Sequence, residues 1–205
     1  MIRIGLIFVL KGEFMSSIFP TVLDSTKALP LYLTSVGVLY NEVSVHRPQG
    51  YIDYQWLQTA SGHGIIHLGN EEVLLDESKG LLIPANIPHS YKRESEQWIT
   101  HWVSFNGSMI PSLFENLGFS DIGTYTQFNI ANTTAILEKI FELTEDNYTK
   151  NAFPISTKLY ALIELIYASK IATNTPLHSK GNQLQRLFDY IDQHYMLDIT
   201  LNDLS

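Results

Sequence analysis

The hydrophobic period changes once along the chain, and that single change limits the fold more than any other feature. From about Leu29 to Phe105, short runs rich in Val, Ile, Leu, Tyr and Trp alternate with Gly, Pro, Asn and Asp breaks. Such punctuation is the mark of strands. It predicts strands at Ser35–Val45, Tyr51–Ala60, Gly64–Leu68, Glu71–Leu75, Gly80–Ile83, His89–Arg93 and Gln97–Phe105, with turns at Pro48–Gly50, Ser61-Gly62, Leu68–Asn70, Ser78–Gly80 and Pro84–Asn86. Short strands at this spacing point to a sandwich or a barrel-like double sheet. From about Asn129 the period becomes helical. Ile136, Leu137, Ile140, Phe141 and Leu143 mark one amphipathic helix, about Asn132–Asn147, and Leu159, Leu162, Ile163 and Ile166 mark a second, about Ser156–Thr173. Asn151 to Ser156, holding Pro154, reads as the turn between them. The expected fold is mainly β with C-terminal helices.

Composition narrows the function. In 205 residues, 45% are hydrophobic and 17% charged, which is globular rather than disordered material. Thirteen Lys and Arg face 21 Asp and Glu, for a formal charge of -8. The four arginines, Arg3, Arg47, Arg93 and Arg186, are scattered. A surface that neutralises several phosphates needs clustered cations, so these residues are a poor nucleic-acid binder by themselves. Without Cys there is no disulfide, thiolate nucleophile or Cys-ligated zinc.

The two ends read differently from the middle. The apolar run Ile4–Leu10 is far short of the ~20 residues that span a bilayer, and no small-residue cleavage site follows it. Lys11-Gly12-Glu13-Phe14, just before Met15, can be encoded by a purine-rich ribosome-binding sequence. Residues 1–14 are therefore expected to be a leader or mis-called start, with translation beginning at Met15. With neither export signal nor span, the expected location is the cytoplasm. Thr173 to Gly181 is short, polar and carries Pro and Gly, as linkers do. A third helical pattern, about Gln183–Tyr195, and an N-cap signature at Thr200–Asp203 follow it. A helix that begins so near the last residue needs more chain to be stable.

Three segments together resemble the AraC family of bacterial transcription regulators. They are Arg47-Pro-Gln-Gly50 followed by Tyr54-Gln-Trp56-Leu57 and Gly62-His-Gly64; Gly80-Leu-Leu-Ile-Pro84 followed by His89-Ser-Tyr91; and Trp98-Ile-Thr-His-Trp102-Val-Ser-Phe105. Leu184–Tyr195 and Ile199–Leu204 look like the opening of that family's DNA-binding domain. The resemblance implies a cupin-like double-stranded β barrel, then two antiparallel helices, then the first fragment of a helix-turn-helix domain. Residues 15–128 become an N-terminal arm and ligand-binding barrel, 129–173 a helical dimerisation region, 174–181 a linker, and 182–205 the truncated start of the DNA-binding domain. The implied function is effector sensing and dimerisation within a regulator that reaches DNA only through its C-terminal domain. The effector is a small molecule, a mono- or oligosaccharide, and no cofactor, metal or membrane is called for.

Candidate ligand-binding residues follow from side-chain chemistry and the resemblance together. On a strand, Trp98, Thr100, Trp102 and Ser104 share one face, and Ile99, His101, Val103 and Phe105 the other. An indole on an inner barrel face stacks on the apolar C–H face of a sugar, and sugar-binding relatives place a Trp at the position matching Trp102. Thr100 shares that face. Arg47 offers five donors in a planar fork, suited to vicinal hydroxyls or a carboxylate. His89 and Tyr91, two apart on a strand, point the same way, and the matching positions in the relatives line the pocket.

Rival readings have their own residues. The pattern Gly80 to His89 resembles the second cupin motif, whose His ligates a metal, so a metal-dependent isomerase or oxygenase is the alternative. The first motif would have to supply a His-x-His pair, yet Tyr54–Gln58 holds no His, and His63 and His67 flank a Gly-rich turn. A catalytic metal ordinarily needs three protein ligands. Glu71-Glu72 and Asp76-Glu77 sit at turns and read as solvated edges. No nucleophile elbow, P-loop or dinucleotide fingerprint is present. A third reading is a ligand-free dimerisation module, its pocket filled by its own side chains. The α-helical stripe Leu159, Leu162, Ile163 and Ile166 either covers the barrel or forms a seam with a second copy.

Overall fold

Two long antiparallel strands carry the architecture. The computed structural model describes residues 16–68, 71–77, 79–119, 123–126 and 130–174. In chain order its elements are β1 (Ser16–Ile18), α1 (Asp24–Lys27), β2 (Tyr32–Asn41), β3 (Val45–Arg47), β4 (Tyr54–Leu68), β5 (Glu71–Leu75), β6 (Lys79–Ile83), β7 (His89–Asn106), α2 (Ile110–Leu117), β8 (Gly123–Thr126), α3 (Ile130–Asn147) and α4 (Ala152–Asn174). The expected leader and helix-turn-helix fragment lie outside the described residues, as does the linker apart from Asn174, which ends α4. The chain divides into two units, residues 1–170 and 171–205. Of the second, only the end of α4 is described.

Strands β4 and β7 pair from Tyr54↔Phe105 to His67↔Ser90. The patterning predicts two strands in place of each, broken at Ser61-Gly62 and after Arg93. The chain does not reverse at Ser61-Gly62. The register slips between Thr59 and Ser61 and again between Gly62 and Gly64, and Gly62 takes φ +76, where a residue without Cβ is unstrained. A bulge bends the ladder instead of ending it. On one side of the bend the strand order is β1-β2-β7-β4-β6-β8; on the other, β3 joins β7 and β5 joins β4. The result is mostly sheet with C-terminal helices, cupin-like and open at its edges.

Strand alternation then sorts side chains onto two faces. Leu57, Ile66, Leu75, Leu81, Ile83, Tyr91 and Trp98 cluster on the inner face, with Val45, Leu68, Val73 and Trp102 packed beside them. Trp56, Leu82, Val103 and Phe105 face outward into a larger core. That core is closed by Ile110 and Phe114 of α2, Leu137 and Ile140 of α3, and Ile155, Leu159, Leu162, Ile163 and Ile166 of α4. Each such side chain stabilises by about 1.5–3 kcal/mol when fully buried. The stripe on α4 therefore covers the sheet: Leu159, Leu162, Ile163 and Ile166 are at most 4% exposed within one chain, which removes them as a seam between copies. Two buried hydroxyls tie the helices to the sheet edge. Tyr148 Oη donates to the Leu33 carbonyl at 2.6 Å and Ser156 Oγ to the Leu31 carbonyl at 2.6 Å.

Other departures from the expected elements have local causes. The turn between α3 and α4 is Tyr148–Asn151, and Pro154 lies inside α4. In a first turn a residue without N–H loses no helical bond. Helix α2 has Pro at its N-terminal turn and Gly118 at φ +66 as its left-handed cap, but at 8 residues it is too short to show a period. The 3-residue β1 and 4-residue β8 escape for the same reason. No described helix is long and apolar enough to cross a membrane.

Candidate functional site

The inner face encloses a cavity of about 120 Å³. Its wall draws on the arm (Ser17, Phe19), β2 (Ser35, Tyr40), the β2–β3 connection (Glu42), β3 (Arg47), the segment before β4 (Tyr51), β4 (Gln55, Trp56, Leu57), β6 (Ile83) and β7 (Tyr91, Trp102, Ser104).

Trp102 owes its place to a glycine. Gly37 is its cross-strand partner on β2, and a Cβ at residue 37 would overlap the indole ring. The bare backbone lets the indole lie against β2. Phe19 meets the ring at a centroid distance of 5.7 Å and Tyr40 meets it edge-on at 6.0 Å. Tyr40 reaches it because β2 slips register between Gly37 and Tyr40, with Leu39 at φ +49.

Arg47 ends β3, paired with His89 at the start of β7. Its guanidinium donates to Gln55 Oε1 and, at 3.3 Å, to His89 Nε2, and lies 4.4 Å from the Tyr51 ring centroid. Gln55 is held in turn by its donation to Ser104 Oγ at 3.0 Å. A guanidinium only donates, so Nε2 of His89 is the accepting nitrogen and Nδ1 carries the proton, given to the Ile87 carbonyl at 2.7 Å. Burial, helped by the neighbouring Arg47 charge, holds His89 below the ordinary histidine range. Both ring nitrogens are engaged and one faces a cation, which is the wrong setting for a metal ligand. Among the described residues no three His, Asp or Glu side chains converge as a metal site would require.

Glu42 is 4% exposed. Its Oε2 accepts from Thr100 Oγ1 at 2.9 Å and its Oε1 from the Val43 amide at 3.3 Å. Burial pushes its carboxyl up to about 7 against the opposing pull of those hydrogen bonds and of Arg47. Burial likewise raises the Tyr40 and Tyr91 phenols, with Glu42 adding to both. Among the described residues, neither Glu42 nor Arg47 belongs to an ion pair.

Of the residues expected to bind ligand, Arg47, Tyr91 and Trp102 share the cavity wall. Thr100 and His89 do not. Thr100 is fully buried behind Glu42, which covers its hydroxyl. His89 supports Arg47 from a separate shallow depression bounded by His46, Pro48, His67, Pro88 and Ser90. Sequence reasoning missed Glu42, Tyr40, Tyr51 and Gln55. One signal was present: Tyr40 and Glu42, and likewise Gln55 and Leu57, stand two apart in extended chain and so share a face.

A sheet bent around an aromatic and polar cavity, with helices sealing its back, is the architecture of a small-molecule-binding barrel. The family profile described as AraC-like ligand binding domain matches residues 39–163, more than half of the chain, and the protein belongs to that family. It is the type of ligand-binding domain found in AraC-class transcription regulators. No curated protein matches it closely enough to count as a relative. Among solved structures it is similar to ToxT from Vibrio cholerae, at 12% identity and TM-score 0.44 over 94% of this chain and 70% of that one. It is also similar to the AraC-like transcriptional activator CuxR, at 9% identity and TM-score 0.43 over 93% of this chain and 74% of that one. A cupin superfamily protein from Desulfitobacterium hafniense matches at 14% identity and TM-score 0.33, over 49% of this chain and 87% of that one.

Proposed function

We propose that this domain senses a small polyhydroxylated effector, a mono- or oligosaccharide, without turning it over. One observation carries the reading: a donor-only guanidinium, Arg47, and a buried acceptor, Glu42, stand on one cavity wall unpaired with each other, beside an indole face. A hydroxyl is the simple group that both accepts from the first and donates to the second. The ring's C–H face meanwhile suits Trp102. An anion would satisfy Arg47 and oppose Glu42 in its ionised form; a cation would do the reverse.

Signalling follows from the arm. Ser17 and Phe19 are part of the wall, and β1 is held to β2 by three residue pairs, Ser16↔Val38 to Ile18↔Val36. A guest that favours the docked arm shifts its population by the difference in affinity between docked and released states. The arm in turn alters what the helices present to a second copy and to a DNA-binding domain. The proposed assembly is a homodimer through residues 129–173, whose largest exposed apolar side chains among the described residues are Phe153 and Tyr160; equilibrium sedimentation checks it.

The test is a thermal-shift screen of neutral mono- and disaccharides, with an unsaturated fatty acid, such as one ToxT structure contains, as the apolar arm. A neutral sugar should stabilise the wild type, and Trp102→Ala and Arg47→Ala should abolish that response while keeping the circular dichroism of the fold. Variants that still respond as wild type does place the guest elsewhere. Response to the fatty acid alone removes the polyol reading. Stoichiometric iron, manganese or zinc in the purified protein would favour the enzyme alternative.

A further inference from the structure

Among the described residues Glu42 is the sole carboxylate on the cavity wall. Its two oxygens each accept one hydrogen bond from the protein, from Thr100 and from the Val43 amide. An ionised carboxylate has about four accepting sites, so both oxygens keep capacity toward the cavity. The groups facing it are Tyr40 of β2, Arg47 of β3, and Tyr91 and Thr100 of β7. We propose that Glu42 is a specificity-determining contact: its carboxylate accepts a hydrogen bond from a guest hydroxyl, and taking up the guest releases a proton. The inference rests on the polyhydroxylated-effector reading and names a contact and a form of regulation for that site.

The proton linkage follows from where the carboxyl sits. In the empty cavity burial holds Glu42 at about 7, so near neutrality much of it is protonated. A hydroxyl that donates to it favours the ionised form, so the bound carboxyl titrates lower and the difference leaves as a proton. Of its neighbours, the two phenols are raised and stay neutral between pH 6 and 8, and Arg47 stays charged. His89 touches Arg47 and is depressed, so it adds no charge above its ordinary range. The same carboxylate repels a guest that carries its own, so uronic acids are disfavoured against neutral sugars of the same ring.

Calorimetric titration of the wild type at pH 6, 7 and 8 tests this. The probe is whichever of D-glucose, D-galactose, D-xylose, L-arabinose and maltose gives the largest thermal shift, with D-glucuronate and D-galacturonate as acidic counterparts. Kd should be roughly tenfold weaker at pH 6 than at pH 8, as expected when a single carboxyl gives up its proton on binding. The heat should differ between phosphate and Tris buffers as a proton is released. Glu42→Gln should flatten both dependences. A sugar that binds equally at all three pH values with buffer-independent heat overturns the role of Glu42 and leaves the polyol reading standing. No response to any neutral sugar removes that reading and this inference with it. The wild-type series stands alone if the variant does not fold.

Discussion

The two faces of β7 are built from alternate residues of one strand, yet they do opposite things. Val103 and Phe105 point outward and are fully buried under three helices. Trp102 and Ser104 point inward and line a cavity. The outer face is closed with apolar side chains. The inner face keeps open space, ringed by aromatic faces and by polar groups that the protein has not fully satisfied. The helix-covered core lies on one side of the strand and the cavity on the other, separated by a single residue of alternation.

The largest test of that contrast truncates one residue from each face. Phe105→Ala removes a fully buried ring stacked near Tyr54 and edge-on to Phe114. It should cost about 3–5 kcal/mol in urea denaturation. Trp102→Ala enlarges a cavity that already exists and should cost clearly less, while removing the response to ligand. Equal losses from the two substitutions would show that the inner face is as much a structural core as the outer one.

Next in size is the effect of pH on the empty protein, where the faces should oppose each other. Inside, Glu42 is raised from 4.5 to about 7. The folded state then holds the proton more tightly than the unfolded chain, so this contribution is complete below about 4.5 and is lost as pH rises through 7. The full difference corresponds to about 3 kcal/mol. Outside, His101 is buried with Nδ1 unbonded among the described residues, and burial depresses it from 6.5. His89, which stands behind Arg47 and not on the outer face, is depressed too. For these the unfolded chain binds the proton more readily, so stability falls as pH drops below 6.5. Thermal melts should therefore weaken toward both ends of the range pH 5 to 8.5. Glu42→Gln should raise the melting temperature at pH 8 and leave the acid limb in place. A variant no more stable than wild type at pH 8 would show that the Glu42 carboxylate is better solvated than its burial implies.

Much of this contrast is legible in the sequence. The split of Trp98, Thr100, Trp102 and Ser104 from Ile99, His101, Val103 and Phe105 rests on the two-residue period of extended chain, which stays unbroken there because the extra residues of the bulges opposite fall on β2 and β4. The change of period that marks α3 and α4 is equally plain, and the AraC-type segments indicate Arg47, Tyr91 and Trp102. What stays hidden depends on bulges and depth. Gly62 reads as a turn because a glycine at positive φ serves a reversal and a bulge alike. The slip at Leu39 that aims Tyr40 at the indole has no signature, since leucine is uncommon in that conformation. Alternation puts Thr100 on the correct face, but nothing in its own strand shows that Glu42, 58 residues away, lies between it and the cavity.

The smallest effect sharpens the outer face. Helices need more than apolar contact to be fixed against a sheet, because oil-like packing alone tolerates sliding. Tyr148 and Ser156 supply directional bonds at the corner where α3 hands over to α4, each donating to a carbonyl at the β2 end of the sheet. Tyr148→Phe keeps the ring in the core and removes only the donor, leaving the Leu33 carbonyl unpaired. The loss should be about 1–1.5 kcal/mol, and the ligand response should stay as in wild type, because Tyr148 takes no part in the cavity wall. If Tyr148→Phe instead weakens ligand binding while barely moving the urea midpoint, the helix corner and the cavity are energetically coupled. The two faces of β7 would then be two readouts of one conformational equilibrium.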